Sequence, residues 1–99
     1  MITEIVRFKI DPGLGREEVV RRFESTMLAW SENPKLVRKY YLYDEESGIG
    51  GGVYLWTDKA SAQAAHDAAW CDRAEQLYGS RPTFEYFETP CIVDNSEQH

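Results

Sequence analysis

Residues 35–57, KLVRKYYLYDEESGIGGGVYLWT, decide the fold of this chain. Two segments rich in aromatic and aliphatic residues flank a turn of acids, serine and glycines, which is typical of a β-hairpin. Five aromatic side chains alternate with Leu42, Val53 and Leu55, so neither face of the hairpin is polar. The pattern therefore predicts a sheet that is covered on both faces.

The rest of the chain supplies one strand and one helix on each side of the hairpin. Alternating apolar residues predict a first strand over residues 2–10, which ends at the turn Asp11-Pro12-Gly13. Helical spacing predicts one helix over residues 16–31. A second helix is predicted to begin after the capping residue Asp58 and to run to about Tyr78, where Gly79 closes it. An alternating strand over residues 83–88 completes the order βαββαβ.

This order predicts an α+β, ferredoxin-like fold, with a four-stranded antiparallel sheet and both helices on one face. Because the strands carry apolar side chains on both sides, we expect the uncovered face to pack against a second copy of the chain. The expected assembly is a homodimer, a dimeric α/β barrel, with Cys91-Ile92-Val93 as an arm across the interface. Residues 1–95 are predicted to form one domain and residues 96–99 a polar, disordered tail.

Composition argues against several function classes. Seventeen acidic and eleven basic residues give a net charge of −6, which repels a phosphate backbone, so no nucleic-acid partner is expected. The chain has no long apolar run and its first residues lack the pattern of a signal peptide, which predicts a cytoplasmic location and no membrane partner. Cys71 and Cys91 fit no zinc or redox spacing and are predicted to be buried thiols.

No metal or cofactor site is predicted. The acids at residues 44–46 lack the spacing of a calcium-binding loop. The glycines at 48 and 50–52 lead into a strand, whereas a phosphate-binding loop leads into a helix N-terminus.

The chain resembles the dimeric α/β-barrel superfamily, and within it the YdhR-type proteins, which are classed as monooxygenases. The resemblance rests on Asn33-Pro34, on the strand around Lys39, on the segment GGVYLW at 51–56 and on Val93-Asp94-Asn95. It implies a small-molecule pocket in each protomer, between the sheet and its own helices. The superfamily also contains quinol oxygenases, polyketide cyclases, lactone isomerases and haem-degrading enzymes, so the resemblance defines the fold better than the reaction.

His66 is the first candidate for proton transfer in such a pocket. It falls at helical spacing with Trp70 on the inward side of the second predicted helix. An imidazole titrates near neutral pH, which suits a general base. The alternative is a structural histidine that is bonded to a backbone carbonyl or lies at the edge of the helix.

Glu4 is the second candidate, because it shares one face of the first strand with Val6 and Phe8. A carboxylate on the apolar face of a central strand is unusual, and it would lie inside the pocket or at its rim. The alternative is a pair at the end of the sheet with one of three cations, Arg7, Arg38 or Lys39.

The pocket wall is predicted to be mostly aromatic, with Lys39 or a tyrosine hydroxyl available to stabilise an oxyanion. The same residues would serve equally well as ordinary core. The predicted substrate-binding residues are Val6, Phe8, Phe23, Met27, Trp30, Lys39, Tyr41, Tyr54, Trp56 and Trp70.

These expectations together describe a homodimeric, cofactor-independent monooxygenase that deprotonates a small planar aromatic, phenolic or quinol-like metabolite. The reaction of the resulting carbanion with dioxygen is implied by the resemblance alone. Two alternatives are a cofactor-free cyclase, isomerase or dehydratase in the same pocket, and a non-catalytic dimer that binds a small apolar ligand.

Overall fold

The structure is a computed structural model in which residues 1–96 are described. Their order confirms the predicted ferredoxin-like α+β arrangement, except that each predicted helix consists of two segments. None of the helices within residues 1–96 is long and apolar enough to cross a membrane. The elements are β1 (Ile2–Lys9), α1 (Arg16–Glu24), α2 (Met27–Ser31), β2 (Leu36–Asp44), β3 (Ile49–Trp56), α3 (Lys59–Ala65), α4 (Ala68–Tyr78) and β4 (Thr83–Glu88).

The four strands form one antiparallel sheet in the order β2-β3-β1-β4. Glu4 on β1 lies opposite Tyr54 of β3 and Tyr86 of β4, and Tyr54 in turn lies opposite Lys39 of β2. Directly opposed residues point to the same face of a sheet. These four polar side chains therefore form one row across the face that packs against the helices, and Glu4 is fully buried there.

The first predicted helix is interrupted at Ser25 and Thr26. The hydroxyl of Thr26 donates to the backbone oxygen of Phe23 at 2.7 Å and also lies 2.7 Å from the hydroxyl of Tyr41. Serine and threonine side chains that bond to nearby carbonyls compete with the helix ladder, which explains the break. The break separates α1 from α2, whose Trp30 packs its ring 5.2 Å from that of Tyr54.

The second predicted helix is interrupted at His66 and Asp67. His66 has φ −105° and ψ 54°, outside the helical region, and the Asp67 carboxylate accepts the backbone N–H of Trp70 as the N-cap of α4. The two outer ends are as predicted: Asp58 caps α3, and Gly79 closes α4 with φ +104°. The break places His66, only 7% exposed, between the two segments.

The other face of the sheet carries none of the helices found in residues 1–96. It carries a row of partly exposed apolar side chains, among them Tyr40, Leu42 and Phe87 at 54%, 41% and 51% exposure. The chain beyond β4 forms no regular element in residues 89–95, since proline at residue 90 lacks a donor for the strand ladder. Cys71 is buried as predicted, but the prediction for Cys91 is wrong, because this segment leaves Cys91 exposed. Of the predicted tail, residues 97–99 lie outside the described residues.

Candidate functional site

Glu4 and His66 form a buried pair beneath the junction of α3 and α4. The Nδ1 of His66 lies 2.9 Å from the Glu4 carboxylate, and both side chains are fully buried. The indole Nε1–H of Trp56 donates to the same carboxylate, also at 2.9 Å. Two donors therefore hold the Glu4 charge in place, which is what a carboxylate in an apolar environment requires.

The free nitrogen of His66 is the second feature of this pair. Among the buried side-chain polar atoms of residues 1–96, Nε2 of His66 is the one without a hydrogen-bond partner. Its imidazole is surrounded by five aromatic rings whose centroids lie 4.3–6.2 Å away. A buried polar atom without a partner is uncommon and calls for a functional or structural reason. The five rings belong to Trp30, Tyr54, Trp56, Trp70 and Phe84.

The sheet-end alternative for Glu4 is wrong, because the neighbouring arginines are paired elsewhere. Arg7 pairs with Glu85 of β4 on the open face, and Arg38 with Asp94 beyond β4. The alternation of β1 places Arg7 on the opposite face from Glu4, so the two cannot meet across the sheet. The alternative of a His66 bonded to a backbone carbonyl is likewise replaced by the bond to Glu4.

Lys39 occupies the other end of the row, inside a cage of aromatic rings. Its ammonium nitrogen lies 3.9 Å from the ring centroid of Tyr41 and 4.6 Å from those of Trp30 and Tyr54. None of the ion pairs within residues 1–96 includes Lys39. The Glu4 carboxylate, in the same row, is bonded to Trp56 and His66 instead. Lys39 is thus a largely buried amine without a counter-ion.

Burial changes the titration of this row in opposite directions for the amine and the phenols. Desolvation lowers the pKa of Lys39 to about 7, although the Glu4 charge opposes the shift. Desolvation and the Glu4 carboxylate raise the pKa of Tyr86 to about 12 and that of Tyr54 well above its usual range. At neutral pH these tyrosines are therefore hydrogen-bond donors, whereas Lys39 exchanges a proton readily.

A cavity of about 160 Å³ lies between the sheet and the helices, next to this row. Its wall is mainly aromatic, and the amine of Lys39 and the exposed Arg73 supply the cationic groups. Seven predicted substrate-binding residues line it: Phe8, Phe23, Trp30, Lys39, Tyr41, Tyr54 and Trp70.

Three other predicted substrate-binding residues do not line this cavity. Val6 and Trp56 are fully buried in the core beneath it. Met27 is 52% exposed and lines a neighbouring groove of about 250 Å³. Glu4 and His66 are also absent from the wall, whereas the rings of Trp30, Tyr54 and Trp70 line the cavity and contact the imidazole of His66.

Several residues of the site were not predicted from the sequence. Thr26, Leu77 and Tyr78 line the cavity, and the apolar helical spacing of Leu77 and Tyr78 was the available signal. Gly52 creates room for it, because a Cβ there would lie 3.0 Å from Cε1 of Tyr54 and 3.3 Å from Cε of Lys39. The glycines of β3 thus serve packing on the sheet.

A larger depression of about 600 Å³ lies at the opposite end of the sheet, lined by the hairpin turn, the loop after β1 and Gly79-Ser80. It is wide open and contains none of the predicted site residues. Within residues 1–96 no group of three His, Cys, Asp or Glu side chains is placed to hold a metal ion. The aromatic cavity is therefore the candidate site.

Comparison with known proteins gives matches among solved structures alone. No protein-family model matches the chain, and no curated protein matches it. A protein of unknown function from Nitrosomonas europaea superposes with a TM-score of 0.74 at 21% identity, over 93% of this chain and 91% of that one. At such identities the likeness shows the fold.

Two further neighbours with this fold are oxygenases. The cofactor-independent oxygenase SnoaB from Streptomyces nogalater has a TM-score of 0.66 at 19% identity, over 93% of this chain and 95% of that one. A monooxygenase from the gene ActVA-Orf6 of Streptomyces coelicolor, solved in complex with the ligand nanaomycin D, has a TM-score of 0.68 at 14% identity, over 96% of this chain and 92% of that one. The chain therefore has the fold of antibiotic biosynthesis monooxygenase-type proteins.

Proposed function

We propose that this protein is a cofactor-independent monooxygenase that acts on a small planar phenol or quinol in the aromatic cavity. The observation that carries the proposal is His66, whose Nδ1 is held by Glu4 while its buried Nε2 has no partner, directly behind the cavity wall. An oriented imidazole with one free nitrogen is suited to general-base catalysis. The fold shared with a cofactor-independent oxygenase supports the same class of reaction.

In the proposed reaction Nε2 of His66 accepts a proton from the substrate, and Lys39 or a cavity tyrosine stabilises the oxyanion. Trp30 and Trp70 touch both the imidazole and the cavity, so one of these rings moves aside when the substrate binds. The electron-rich ring carbon then reacts with dioxygen. A phenol and dioxygen give a quinone and water: a ring C–H becomes a carbonyl, the second oxygen atom leaves as water, and the substrate supplies all the electrons.

Oxygen uptake tests the reaction. The purified protein, with no added metal or flavin, is mixed with a panel of single-ring hydroquinones and substituted phenols in an oxygen electrode. The proposal expects oxygen consumption above the rate of autoxidation together with formation of a quinone that carries one more oxygen atom than the substrate. Turnover that proceeds equally well without oxygen would instead show a cyclase, isomerase or dehydratase, and binding without any turnover would leave a ligand-binding protein.

His66→Asn tests the proton acceptor. The Asn side-chain amide can still donate to Glu4 in place of Nδ1–H, but it has no basic nitrogen. The expected loss in kcat/KM is about 10²- to 10⁴-fold, the usual contribution of a general base. Met27→Ala, on the neighbouring groove, is the matched control and keeps full activity. Unchanged turnover in a folded His66→Asn protein would contradict the assignment.

We also propose that two copies of the chain pair through the open face of the sheet. The support is the row of partly exposed apolar side chains on that face, which a monomer leaves in water. Sedimentation velocity should give a dimer, and Val53→Lys, at the centre of that face, should dissociate it. A monomer at micromolar concentration would rule out this arrangement.

A further inference from the structure

Lys39 supplies an amine to the wall of the cavity, and this amine is largely buried. Its amine lies over three aromatic rings and borders both the cavity and the neighbouring groove. It has no counter-ion within residues 1–96. A lysine in this position is expensive to bury, because its charge is desolvated without being paired.

The aromatic rings around Lys39 attract its ammonium group but do not supply a counter-ion. The faces of Trp30, Tyr41 and Tyr54 attract a cation through the quadrupole of each ring. Burial opposes the charge and lowers the pKa of Lys39 to about 7. An anion that enters the cavity would tip this balance, because it supplies the attraction that the rings alone do not.

The size of the cavity limits what such an anion can be. Its volume is about 160 Å³. An apolar protein cavity of about 150 Å³ is known to accommodate benzene. One aromatic ring with small substituents therefore fits, whereas a fused two-ring system exceeds the space unless the wall moves.

We propose that the cavity binds single-ring phenols as their anions, with the phenolate oxygen paired to the ammonium group of Lys39 and the ring stacked among Trp30, Tyr41 and Tyr54. The chain as a whole carries a charge of −6, so the site attracts an anion through this local amine and not through the net charge of the protein. Before binding, the two partners are either a neutral phenol and a neutral amine, or a phenolate in solvent and an unpaired ammonium group. After binding they form one desolvated ion pair.

This inference deepens the proposed function, on which it rests, by naming the class of substrate. It also assigns the two protons that the substrate loses to different acceptors. The first phenolic proton is lost on binding, to the amine of Lys39 or to solvent. Nε2 of His66 is then left to accept the second hydroxyl proton of a quinol or the ring proton released when oxygen is inserted.

The probe for this site is 4-nitrophenol, a single-ring phenol whose anion absorbs visible light while its neutral form does not. It is titrated with the protein at a pH below its own pKa, under nitrogen. The wild-type protein is expected to increase the visible band in a saturable way. Quenching of tryptophan fluorescence, which Trp30 and Trp70 in the wall should provide, reports binding independently of the colour.

Variants of Lys39 locate the counter-ion. Lys39→Met is expected to abolish the visible band, and Lys39→Arg to retain it. Lys35→Met, an exposed lysine just before the same strand, is the matched control and should behave like the wild type. Circular dichroism checks that each variant is folded. A visible band that persists in Lys39→Met would assign the anion to another cation, such as Arg73, and would overturn the proposal.

Two analogues test the chemistry and the size separately. 4-Nitroanisole has the same ring but no ionisable hydroxyl, and it should bind at least about tenfold more weakly, the effect of roughly 1.4 kcal/mol. 4-Nitro-1-naphthol adds a second ring and should show a similar loss. Equal affinity for the anisole, or quenching by 4-nitrophenol without a visible band, overturns anion binding. Equal affinity for the naphthol overturns the one-ring limit.

Binding and turnover fail independently in these experiments. A visible band with no oxygen uptake for any phenol keeps the anion site and ends the proposed function. Oxygen uptake with phenols, combined with the absence of a Lys39-dependent band for 4-nitrophenol, ends the anion site and keeps the oxygenase.

Discussion

Glu4 and Lys39 lie on the same face of the sheet with Tyr54 between them, and they differ in their partners. Glu4 is fully buried and accepts bonds from two side chains. Lys39 is enclosed by rings but has no counter-ion within residues 1–96. A buried charge with hydrogen-bond partners inside the protein stabilises the fold, whereas a buried charge without a partner indicates a site for a ligand.

The largest expected effect comes from removing the satisfied charge. Glu4→Ala leaves the donors of Trp56 and His66 without an acceptor in the core, so it should lower the free energy of unfolding by about 3–5 kcal/mol. Urea denaturation measures the loss. Glu4→Gln, which keeps an acceptor oxygen, should lose less.

The control for this variant is Glu85→Ala, which removes a carboxylate from the exposed pair with Arg7. It should cost at most about 1 kcal/mol, as exposed ion pairs do. Similar losses for Glu4→Ala and Glu85→Ala would contradict the framework role of the buried pair.

Lys39→Met should increase the stability of the protein, whereas Glu4→Ala should decrease it. The pKa of Lys39 is about 7 in the folded protein and near 10.4 when unfolded. Below pH 7 both states are protonated and the folded state bears the full cost of the buried charge. Between pH 7 and about 10 the unfolded state binds more protons, so the wild type gains stability as pH rises. At pH 6 the free energy of unfolding of Lys39→Met should therefore exceed that of the wild type by about 2–4 kcal/mol. This is less than the full pKa shift of Lys39 corresponds to, because the aromatic rings favour the ammonium form.

The decisive observation is how the difference in stability between Lys39→Met and the wild type changes with pH. The advantage of Lys39→Met over the wild type should shrink steadily from pH 7 to pH 10, whereas Lys35→Met should show a flat difference. Thermal or urea unfolding at several pH values measures both. A Lys39→Met protein less stable than the wild type at pH 6 would mean that a partner on the chain already satisfies the amine.

Gly52→Ala tests the space around Lys39 without touching Glu4. The added methyl group would lie 3.0 Å from the backbone oxygen of Tyr40 and 3.3 Å from the Lys39 stem. Overpacking of this kind costs about 1–3 kcal/mol, and the affinity for 4-nitrophenol should fall with it. Gly15→Ala, where a Cβ meets no atom within 4 Å, should stay within about 1 kcal/mol of the wild type and bind normally. Unchanged binding in Gly52→Ala would move the ligand away from β3.

The smallest effect is expected at Met27, which lies outside both groups. Met27→Ala should change stability by less than about 0.5 kcal/mol, since the side chain is half exposed, and should leave 4-nitrophenol binding intact. A clear loss of binding would show that the ligand occupies the neighbouring groove.

The sheet and its inner face were predictable because strand patterns are local. Alternation along β1 is enough to put Glu4, Val6 and Phe8 on one face. Alternation around the hairpin likewise separates Tyr40 from its other four aromatic residues. The capping Asp58 and the closing Gly79 marked helix ends for the same reason.

The two helix breaks and the cage around Lys39 depend on contacts between distant residues. Thr26 ends its helix while bonded to Tyr41 across the core. The capping side chain of Asp67 was a local signal that the alanine-rich pattern around it obscured. The cage of Lys39 requires Trp30 of α2 to lie over β2 and β3, which no spacing in the sequence specifies. The dimer and the roles of the site residues remain predictions.

The titration of Lys39 itself tests the central claim most directly. The chain contains four lysines, so a protein labelled with ¹³C at the lysine Cε gives four signals to follow with pH. We predict that the signal absent from Lys39→Met titrates at about pH 7, well below the ordinary value for a lysine. A Lys39 signal that titrates near the ordinary lysine value of about 10.4 would contradict the account, because Lys39 would then be either exposed or already paired.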